Sequence, residues 1–273
     1  MRKSTRITET FEDLRASGRM AFMPFVTAGD PDLDTTIEVV SALSSHGVDL
    51  IEVGFPYSDP IADGPVIQAS YQRALDADFT VDELFDKLAL LDANTTAPLV
   101  AMVSYAIIFR RGTEAFVGRA REVGFSGLIV PDLPGDEAGE VAQVVRDGGL
   151  DLVQLVAPTT PVSRLEGILS SASGFLYCIA VAGTTGVRDA VPEQLTAQLT
   201  GLRSRTDLPL AVGFGISQPE HVSSLRGTAD GAIVGSALVK RLEGIGDQDA
   251  DRSAVLEDIG EWIGEMVAAA AGS

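Results

Sequence analysis

A regular alternation of short apolar runs with longer amphipathic segments constrains the fold of this chain more than any other feature. Eight runs rich in β-prone residues recur along the sequence, at 21–27, 50–54, 98–104, 127–131, 152–156, 175–180, 210–215 and 231–235. The segments between them carry apolar residues at helical spacing and often close on glycine. Eight strands that are each followed by a helix predict a (β/α)₈ barrel, and continuously apolar runs are typical of a parallel sheet covered by helices.

Additional helices and one long connection complete the predicted α/β architecture. Residues 8–15 predict a helix before the first strand, and residues 253–269 predict a helix that closes the chain. The connection at 55–97 is the longest and must hold a loop and more than one helix. Because no Pro/Ser-rich linker divides residues 1–273, we predict a single TIM-barrel domain with an extra N-terminal helix and an elaborated loop after strand 2. A doubly wound open sheet is the alternative, since it shares the alternation.

Charge and composition narrow the classes of partner. Lys and Arg total 20 against 39 Asp and Glu, a net charge of −19, which argues against nucleic acid or an anionic membrane surface as the main partner. A small phosphorylated ligand needs only a local cluster of N–H groups and remains compatible. The N-terminus lacks the apolar region of a signal peptide, and the uncharged stretch 167–187 is rich in Gly, Ser and Thr. We therefore expect a cytoplasmic protein without a membrane span.

The sequence contains few residues that could supply a thiol or an imidazole. Cys178 is the one cysteine and falls in the sixth apolar run, where we expect a buried packing role. The two histidines, His46 and His221, fall on helical segments and not in the loops that follow the strands. The sequence therefore predicts neither a metal site nor catalysis by histidine.

Glu52 is the sharpest candidate for a catalytic residue. It interrupts the apolar run at 50–54, and alternation along the strand places it on the same face as Leu50. A carboxylate in an apolar strand is costly unless it is paired or protonated, so we expect a raised pKa. Such a group can serve as general acid and base near neutral pH. The alternative is a structural glutamate at the barrel rim, held by backbone N–H groups or by a cation.

The loop after the second run offers further polar groups over the predicted barrel mouth. Residues 55–65 contain three prolines, which stiffen the loop, together with Ser58, Asp59 and Asp63. Taken alone, these residues are also typical of ordinary turns.

Glycine-rich loops follow the last three runs, at 183–186, 213–215 and 235–236. Glycine lets backbone N–H groups approach an oxyanion, and a helix N-terminus favours negative charge. The loops after strands seven and eight are the usual phosphate site of a barrel. We therefore favour a phosphate site over plain strand-to-helix turns, which also need glycine.

With these motifs in place, the sequence resembles the tryptophan synthase alpha chain family along nearly its whole length. The most specific block is IEVGFPYSDPIADGPVIQ at 51–68, and further blocks lie at 24–36, 127–138, 183–190, 212–222 and 231–240. The resemblance implies retro-aldol cleavage of indole-3-glycerol phosphate to indole and glyceraldehyde 3-phosphate in tryptophan biosynthesis, without a metal or organic cofactor. It also implies an alpha2beta2 assembly with a beta chain, in which only the beta chain uses pyridoxal phosphate.

The same resemblance implies roles for individual residues. Glu52 would be the catalytic acid and base, Asp63 the second essential carboxylate, and Thr185 the residue that orients Asp63 when the loop closes. Substrate-binding residues on the indole side would be Phe25 and Tyr177. The phosphate would be held by Gly186, Gly215, Gly235 and Ser236.

Two stretches depart from the family pattern. Relatives often carry an aromatic-Asn sequence after the third strand, where this chain has SYAI at 104–107. The Ser-Arg-x-Gly pattern of the mobile loop is replaced by AVAG at 180–183. We therefore expect weaker coupling to a beta chain. A stand-alone indole-3-glycerol-phosphate lyase and a catalytically idle regulatory subunit stay open as alternatives.

Overall fold

The strands form a closed parallel barrel in chain order. A computed structural model describes residues 4–60, 63–179, 193–213, 215–246 and 251–272. The strands are β1 Ala21–Thr27, β2 Ile51–Gly54, β3 Leu99–Met102, β4 Phe125–Ile129, β5 Asp151–Val156, β6 Leu176–Ile179, β7 Leu210–Gly213 and β8 Gly231–Val234. Each strand pairs in parallel with the next, and β8 returns to pair with β1. The predicted (β/α)₈ barrel is confirmed, and the closed sheet excludes the open doubly wound alternative.

Helices surround the barrel and account for the connections between the strands. They are α1 Arg6–Ala16, α2 Leu33–Ser45, α3 Pro65–Asp76, α4 Val81–Leu88, α5 Tyr105–Arg111, α6 Thr113–Glu122, α7 Gly139–Asp147, α8 Val162–Ser171, α9 Glu193–Arg203, α10 Pro219–Ser224, α11 Ser236–Leu242 and α12 Arg252–Ala271. The first and last helices and the two helices between β2 and β3 agree with the prediction. The connection between β3 and β4 also holds two helices, because Gly112 at φ 83° separates α5 from α6.

Two apolar clusters lie on either side of the barrel wall. The outer cluster fills the space between strands and helices and includes the buried Cys178, as expected. The inner cluster fills the barrel and includes Leu50, Val100 and Ile233. The helix α1 closes the amino end of the barrel, because its Phe11 joins the inner cluster and its ring centroid lies 5.7 Å from that of Phe175.

The described part of the uncharged stretch 167–187 is divided between a helix and a strand. The helix α8 ends at Ser171 and β6 follows, while residues 180–187 lie outside the described part of the chain. Among the helices that the structure describes, none combines the length and the apolar character that crossing a bilayer requires.

Candidate active site

A cavity of about 450 Å³ opens at the carboxyl ends of the strands. It brings together the predicted residues Phe25, Glu52, Asp63, Tyr177, Gly215, Gly235 and Ser236. These residues come from opposite ends of the sequence, and only the closed barrel places them around one space. The other two predicted residues, Thr185 and Gly186, lie outside the described residues, as do the departures at 180–183.

Glu52 is fully buried at the wall of this cavity. It lies in register with Phe25 of β1 and Val100 of β3. Neither of its carboxyl oxygens has a hydrogen-bond partner among the described residues. Burial raises the pKa of Glu52 to about 8, and the negative charge of Asp63 contributes further. A structural glutamate at the rim would need a backbone N–H or a cation, and the described residues supply neither.

Asp63 is anchored through its backbone, which leaves its carboxylate available to the cavity. Its N–H donates to the carbonyl of Pro60 at 3.1 Å, and the Gln68 side-chain amide donates to its carbonyl at 2.7 Å. The helix α3 begins two residues later at Pro65, whose fixed φ and missing N–H suit the first helical position. Burial raises the pKa of Asp63 to about 6.

The two carboxyl groups differ in protonation near neutral pH. Asp63 loses its proton first, while Glu52 is still neutral. Burial alone therefore raises the pKa of Asp63. Glu52 must then ionise beside a negative charge as well as in a dry site, which raises its pKa further. At pH 7 the site therefore holds a protonated Glu52 and an ionised Asp63. Environments that separate two carboxyl pKa values in this way are typical of a catalytic acid and its charged partner.

Two glycines allow aromatic rings to lie across the barrel wall. A methyl group on Gly54 would stand 2.3 Å from the ring of Phe25, and one on Gly213 would stand 2.6 Å from the hydroxyl of Tyr177. Real Cβ atoms essentially never make contacts this short, so a side chain at either position would force the facing ring to move. The rings of Phe25 and Tyr177 thereby form two apolar walls of the cavity beside Glu52.

Tyr71, which is not among the residues predicted from the sequence, lies behind Phe25. Its hydroxyl is buried without a hydrogen-bond partner among the described residues, and its ring centroid lies 6.5 Å from that of Phe25 and 5.7 Å from that of Tyr57. Burial, followed by the charge of Asp63, raises the pKa of Tyr71 well above its ordinary value. Helical spacing could have identified Tyr71, because it follows the cavity residue Ile67 by four positions and therefore lies on the same face of α3.

The loops after β7 and β8 contribute backbone rather than side-chain chemistry. Gly215 has φ +48°, and Gly235 precedes the first residue of α11, Ser236. No side chain of the described residues caps the start of α11, so its first N–H groups are open to an incoming acceptor. This arrangement can hold a phosphate group, as the sequence predicts.

The loops after β3 and β4 are tied together on the same side of the barrel. The Ser104 hydroxyl donates to Asp132 at 2.7 Å, and the Tyr105 N–H donates to the other oxygen of that carboxylate at 2.7 Å. The following helix α5 exposes Ala106 and 70% of Phe109. Phe109 is the one aromatic residue among the large hydrophobic side chains that the described residues expose, and aromatic residues are enriched at protein interfaces.

The histidines lie away from the cavity, as the sequence predicted. His46 caps the end of α2, and His221 belongs to α10. No group of three or more His, Cys, Asp or Glu side chains is placed to hold a metal ion within the part of the chain that the structure describes.

Comparison with known proteins gives a consistent result. Residues 11–270 match the family described as Tryptophan synthase alpha chain. A tryptophan synthase alpha chain from Rhodopirellula baltica is 49% identical and covers 87% of both chains. One from Prochlorococcus marinus strain NATL2A is 41% identical over 98% of this chain and 97% of its own length.

Solved structures with the same fold include proteins of the same description. Tryptophan synthase subunit alpha from Legionella pneumophila str. Paris superimposes with a TM-score of 0.89 at 32% identity, over 99% of this chain and 100% of that chain. A Mycobacterium tuberculosis tryptophan synthase structure gives a TM-score of 0.87 at 30% identity, over 98% and 99%.

Proposed function

Because the chain belongs to the tryptophan synthase alpha chain family, we propose how its residues carry out the family reaction. The protein is a carbon–carbon lyase of tryptophan biosynthesis that cleaves indole-3-glycerol phosphate to indole and glyceraldehyde 3-phosphate. The observation that supports the residue assignments is that Asp63 lines the same cavity as Glu52, which is fully buried without a hydrogen-bond partner among the described residues.

Glu52 acts in this proposal as the acid and then as the base. Its carboxyl proton moves to C3 of the indole ring, which gives an indoleninium cation. The bond between C3 and the glycerol chain then breaks, and its electron pair restores the aromatic ring. The hydroxyl on the departing carbon becomes the aldehyde as its proton moves to the Glu52 carboxylate. One proton is given and one is returned, so Glu52 ends the cycle protonated.

Asp63 stabilises the cation that forms between these two proton transfers. Its carboxylate accepts the ring N–H and places a negative charge beside the developing positive charge. The interaction strengthens as the ring becomes cationic, so it favours the transition state over the bound substrate. Burial makes it stronger than the same contact in water. We propose that Thr185, outside the described residues, orients Asp63.

The remaining cavity residues bind the two ends of the substrate. Phe25 and Tyr177 would contact the indole ring. The phosphate group would accept hydrogen bonds from backbone N–H groups and from the Ser236 hydroxyl. The residues that form this phosphate site would be Gly186, Gly215, Gly235 and Ser236. Because two carboxyl groups supply every charge and proton that the reaction needs, the proposal includes no metal or organic cofactor.

Conservative carboxyl-to-amide substitutions test the assignments. Glu52→Gln keeps the shape of the side chain but cannot transfer a proton, so indole release should fall by about two to four orders of magnitude. Asp63→Asn should reduce kcat by roughly two to three orders of magnitude, because the charge that stabilises the cation is lost. Binding of glyceraldehyde 3-phosphate should persist in both variants, which shows that the cavity is intact. Glu257→Gln on the exposed face of α12 is the matched control. Activity of Glu52→Gln within tenfold of wild type would exclude Glu52 as the proton donor.

We further propose an alpha2beta2 assembly with a beta chain, in which only the beta chain holds pyridoxal phosphate. The exposed Phe109 and the fixed helix α5 support a contact surface next to the cavity. A cytoplasmic location is part of this proposal, and the single buried Cys178 is compatible with it.

Ala106 leads us to expect weak coupling between the two chains. The exposed methyl group of Ala106 cannot make the hydrogen bonds that asparagine offers in relatives. Coupling between the chains requires contacts that differ between the open and closed states of the mobile loop. Stimulation of indole release by saturating beta chain should therefore be small, and Ala106→Asn should increase it. Large stimulation of the unmodified chain would contradict this reasoning. Fast turnover without any stimulation would favour the stand-alone lyase.

A further inference from the structure

A second cavity lies at the amino end of the barrel, opposite the candidate active site. It has a volume of about 470 Å³, close to that of the catalytic cavity and within the range of small-molecule sites. Its walls come from α1, the loop before β1, and the loops before β7 and β8. We call it the basal cavity and define it by Phe11, Arg15, Arg19, Met20, Pro209 and Arg226.

Three arginines converge on the basal cavity although the whole chain carries a net charge of −19. Elsewhere arginines are commonly paired with aspartate, as are Arg73, Arg111, Arg119, Arg164, Arg203 and Arg252. Arg15 and Arg226 make no side-chain hydrogen bond or ion pair with any described residue. The basal cavity is therefore a local cationic site in an acidic protein.

The third arginine is incompletely satisfied. Arg19 reaches Asp49 at 3.5 Å through one terminal nitrogen, while its Nε is buried without a hydrogen-bond partner among the described residues. A buried donor without an acceptor is unfavourable, so this N–H favours an acceptor from outside. Asp230, the acidic residue among the described lining residues, is not the acceptor of this N–H, since it accepts from Arg203 and from the Leu210 N–H through Oδ2.

The backbone of Arg226 belongs to an ordered turn, and its side chain is exposed at the edge of the basal cavity. Its N–H donates to the carbonyl of Ser223, and the following turn is closed by the Ala229 N–H. Its guanidinium lies against the end of α12, where a methyl group on Gly272 would stand 2.5 Å from a terminal nitrogen. A guanidinium that has no hydrogen-bond partner among the described residues keeps its donors available for an anion.

The lining of the basal cavity also includes apolar side chains. Phe11 and Met20 are both almost fully buried, and Pro209 completes this surface. We propose that the basal cavity binds a small organic anion, in which an apolar ring lies against Phe11 and Met20 and one carboxylate or phosphate group is held by Arg15, Arg19 and Arg226. The site is separate from the catalytic cavity and does not depend on the proposed mechanism.

Binding of 2-naphthoate to the full chain tests the proposal, with amide and arginine Nε signals followed by NMR. The signals of Gly18, Gly227 and the Arg19 Nε–H should shift in a saturable manner. Signals of Gly235 and Ser236 report separately on binding in the catalytic cavity. A parallel titration with 2-naphthyl phosphate shows which anionic group is preferred. The neutral 2-naphthamide should bind the basal cavity at least about tenfold more weakly, because charge-assisted hydrogen bonds are lost.

Matched arginine variants locate the anionic group. Arg15→Gln and Arg226→Gln should each weaken binding by about tenfold or more. Arg205→Gln, an exposed arginine on the same face of the barrel but outside the cavity, should leave it unchanged. Arg15 is exposed in the last turn of α1, so its variant remains informative if Arg226→Gln disturbs the end of α12. Absence of saturable shifts at the basal signals, equal weakening in Arg205→Gln, or equal binding of the neutral amide would overturn the proposal.

Discussion

Replacing Glu52 with glutamine should stabilise the fold on the alkaline side of neutrality. The ordinary pKa of a glutamate is 4.5, and burial with the charge of Asp63 raises that of Glu52 to about 8. Between these values the folded chain keeps a proton that the unfolded chain has lost. The wild-type protein therefore has its full stability below about pH 4.5 and loses stability as the pH rises through about 8. Glutamine is never charged, so the variant avoids this loss.

The size of the effect follows from the two pKa values. Each pKa unit corresponds to about 1.4 kcal/mol, so the free energy of unfolding of the variant should exceed that of wild type by about 5 kcal/mol above pH 8. The difference should be about 3 kcal/mol at pH 7 and under about 1 kcal/mol at pH 5. Because neither oxygen of Glu52 has a hydrogen-bond partner among the residues that the structure describes, the neutral amide loses no hydrogen bond to them that the protonated acid makes. The same substitution that abolishes cleavage should thus increase stability.

Urea unfolding followed by circular dichroism at about pH 5 and about pH 8.5 measures this difference. Glu257→Gln removes an exposed carboxylate from α12 and should show the same stability as wild type at both pH values. A gain for Glu52→Gln that is equal at both pH values would show that packing rather than charge is responsible. No gain at the higher pH would mean that Glu52 is not held in a dry, unpaired site.

Three further outcomes follow from the site. The pH profile of kcat/KM should be bell-shaped, falling below about 6 as Asp63 becomes protonated and above about 8 as Glu52 ionises; a flat profile from pH 5 to 9 contradicts the assignment. Gly235→Asp should raise KM and weaken binding of glyceraldehyde 3-phosphate, because it brings a carboxylate to the phosphate site; unchanged binding, measured by calorimetry, would place the phosphate elsewhere. Gly213→Ala should displace Tyr177 and weaken indole binding in a fluorescence titration, and unchanged affinity would show that the ring does not contact indole.

The sequence predicts the strands well where local pattern and tertiary structure agree. The first strand matches its predicted run at both ends, 21–27. The third run, predicted as 98–104, forms a strand only from Leu99 to Met102. Its last residue caps α5 instead, because the Ser104 hydroxyl accepts from the Ala106 N–H. A side-chain cap competes with the strand at this point, and apolar periodicity contains no information about it.

The chemistry of the candidate site was only partly accessible from the sequence. A carboxylate in an apolar strand is visible as a pattern, which is why Glu52 could be identified. The missing partners of its oxygens and the effect of Asp63 on its pKa depend on how a loop folds over the barrel mouth. The sequence does not identify Tyr71, because the burial of its hydroxyl depends on how α3 packs against β1. The basal cavity joins Arg15 to Arg226, residues that no local pattern connects.

Glu52 acquires its catalytic environment only when β8 pairs with β1, because β8 is the last strand of the barrel to be synthesised. A growing chain that has formed only its first strands leaves the carboxyl group open to water, where it ionises like any other glutamate. Closure of the barrel by the last two strands completes the burial of Glu52 seen in the folded chain and brings Gly213 and Ser236 to the same space. Nascent and truncated chains therefore cannot release indole by this route, and product formation reports that the barrel has closed.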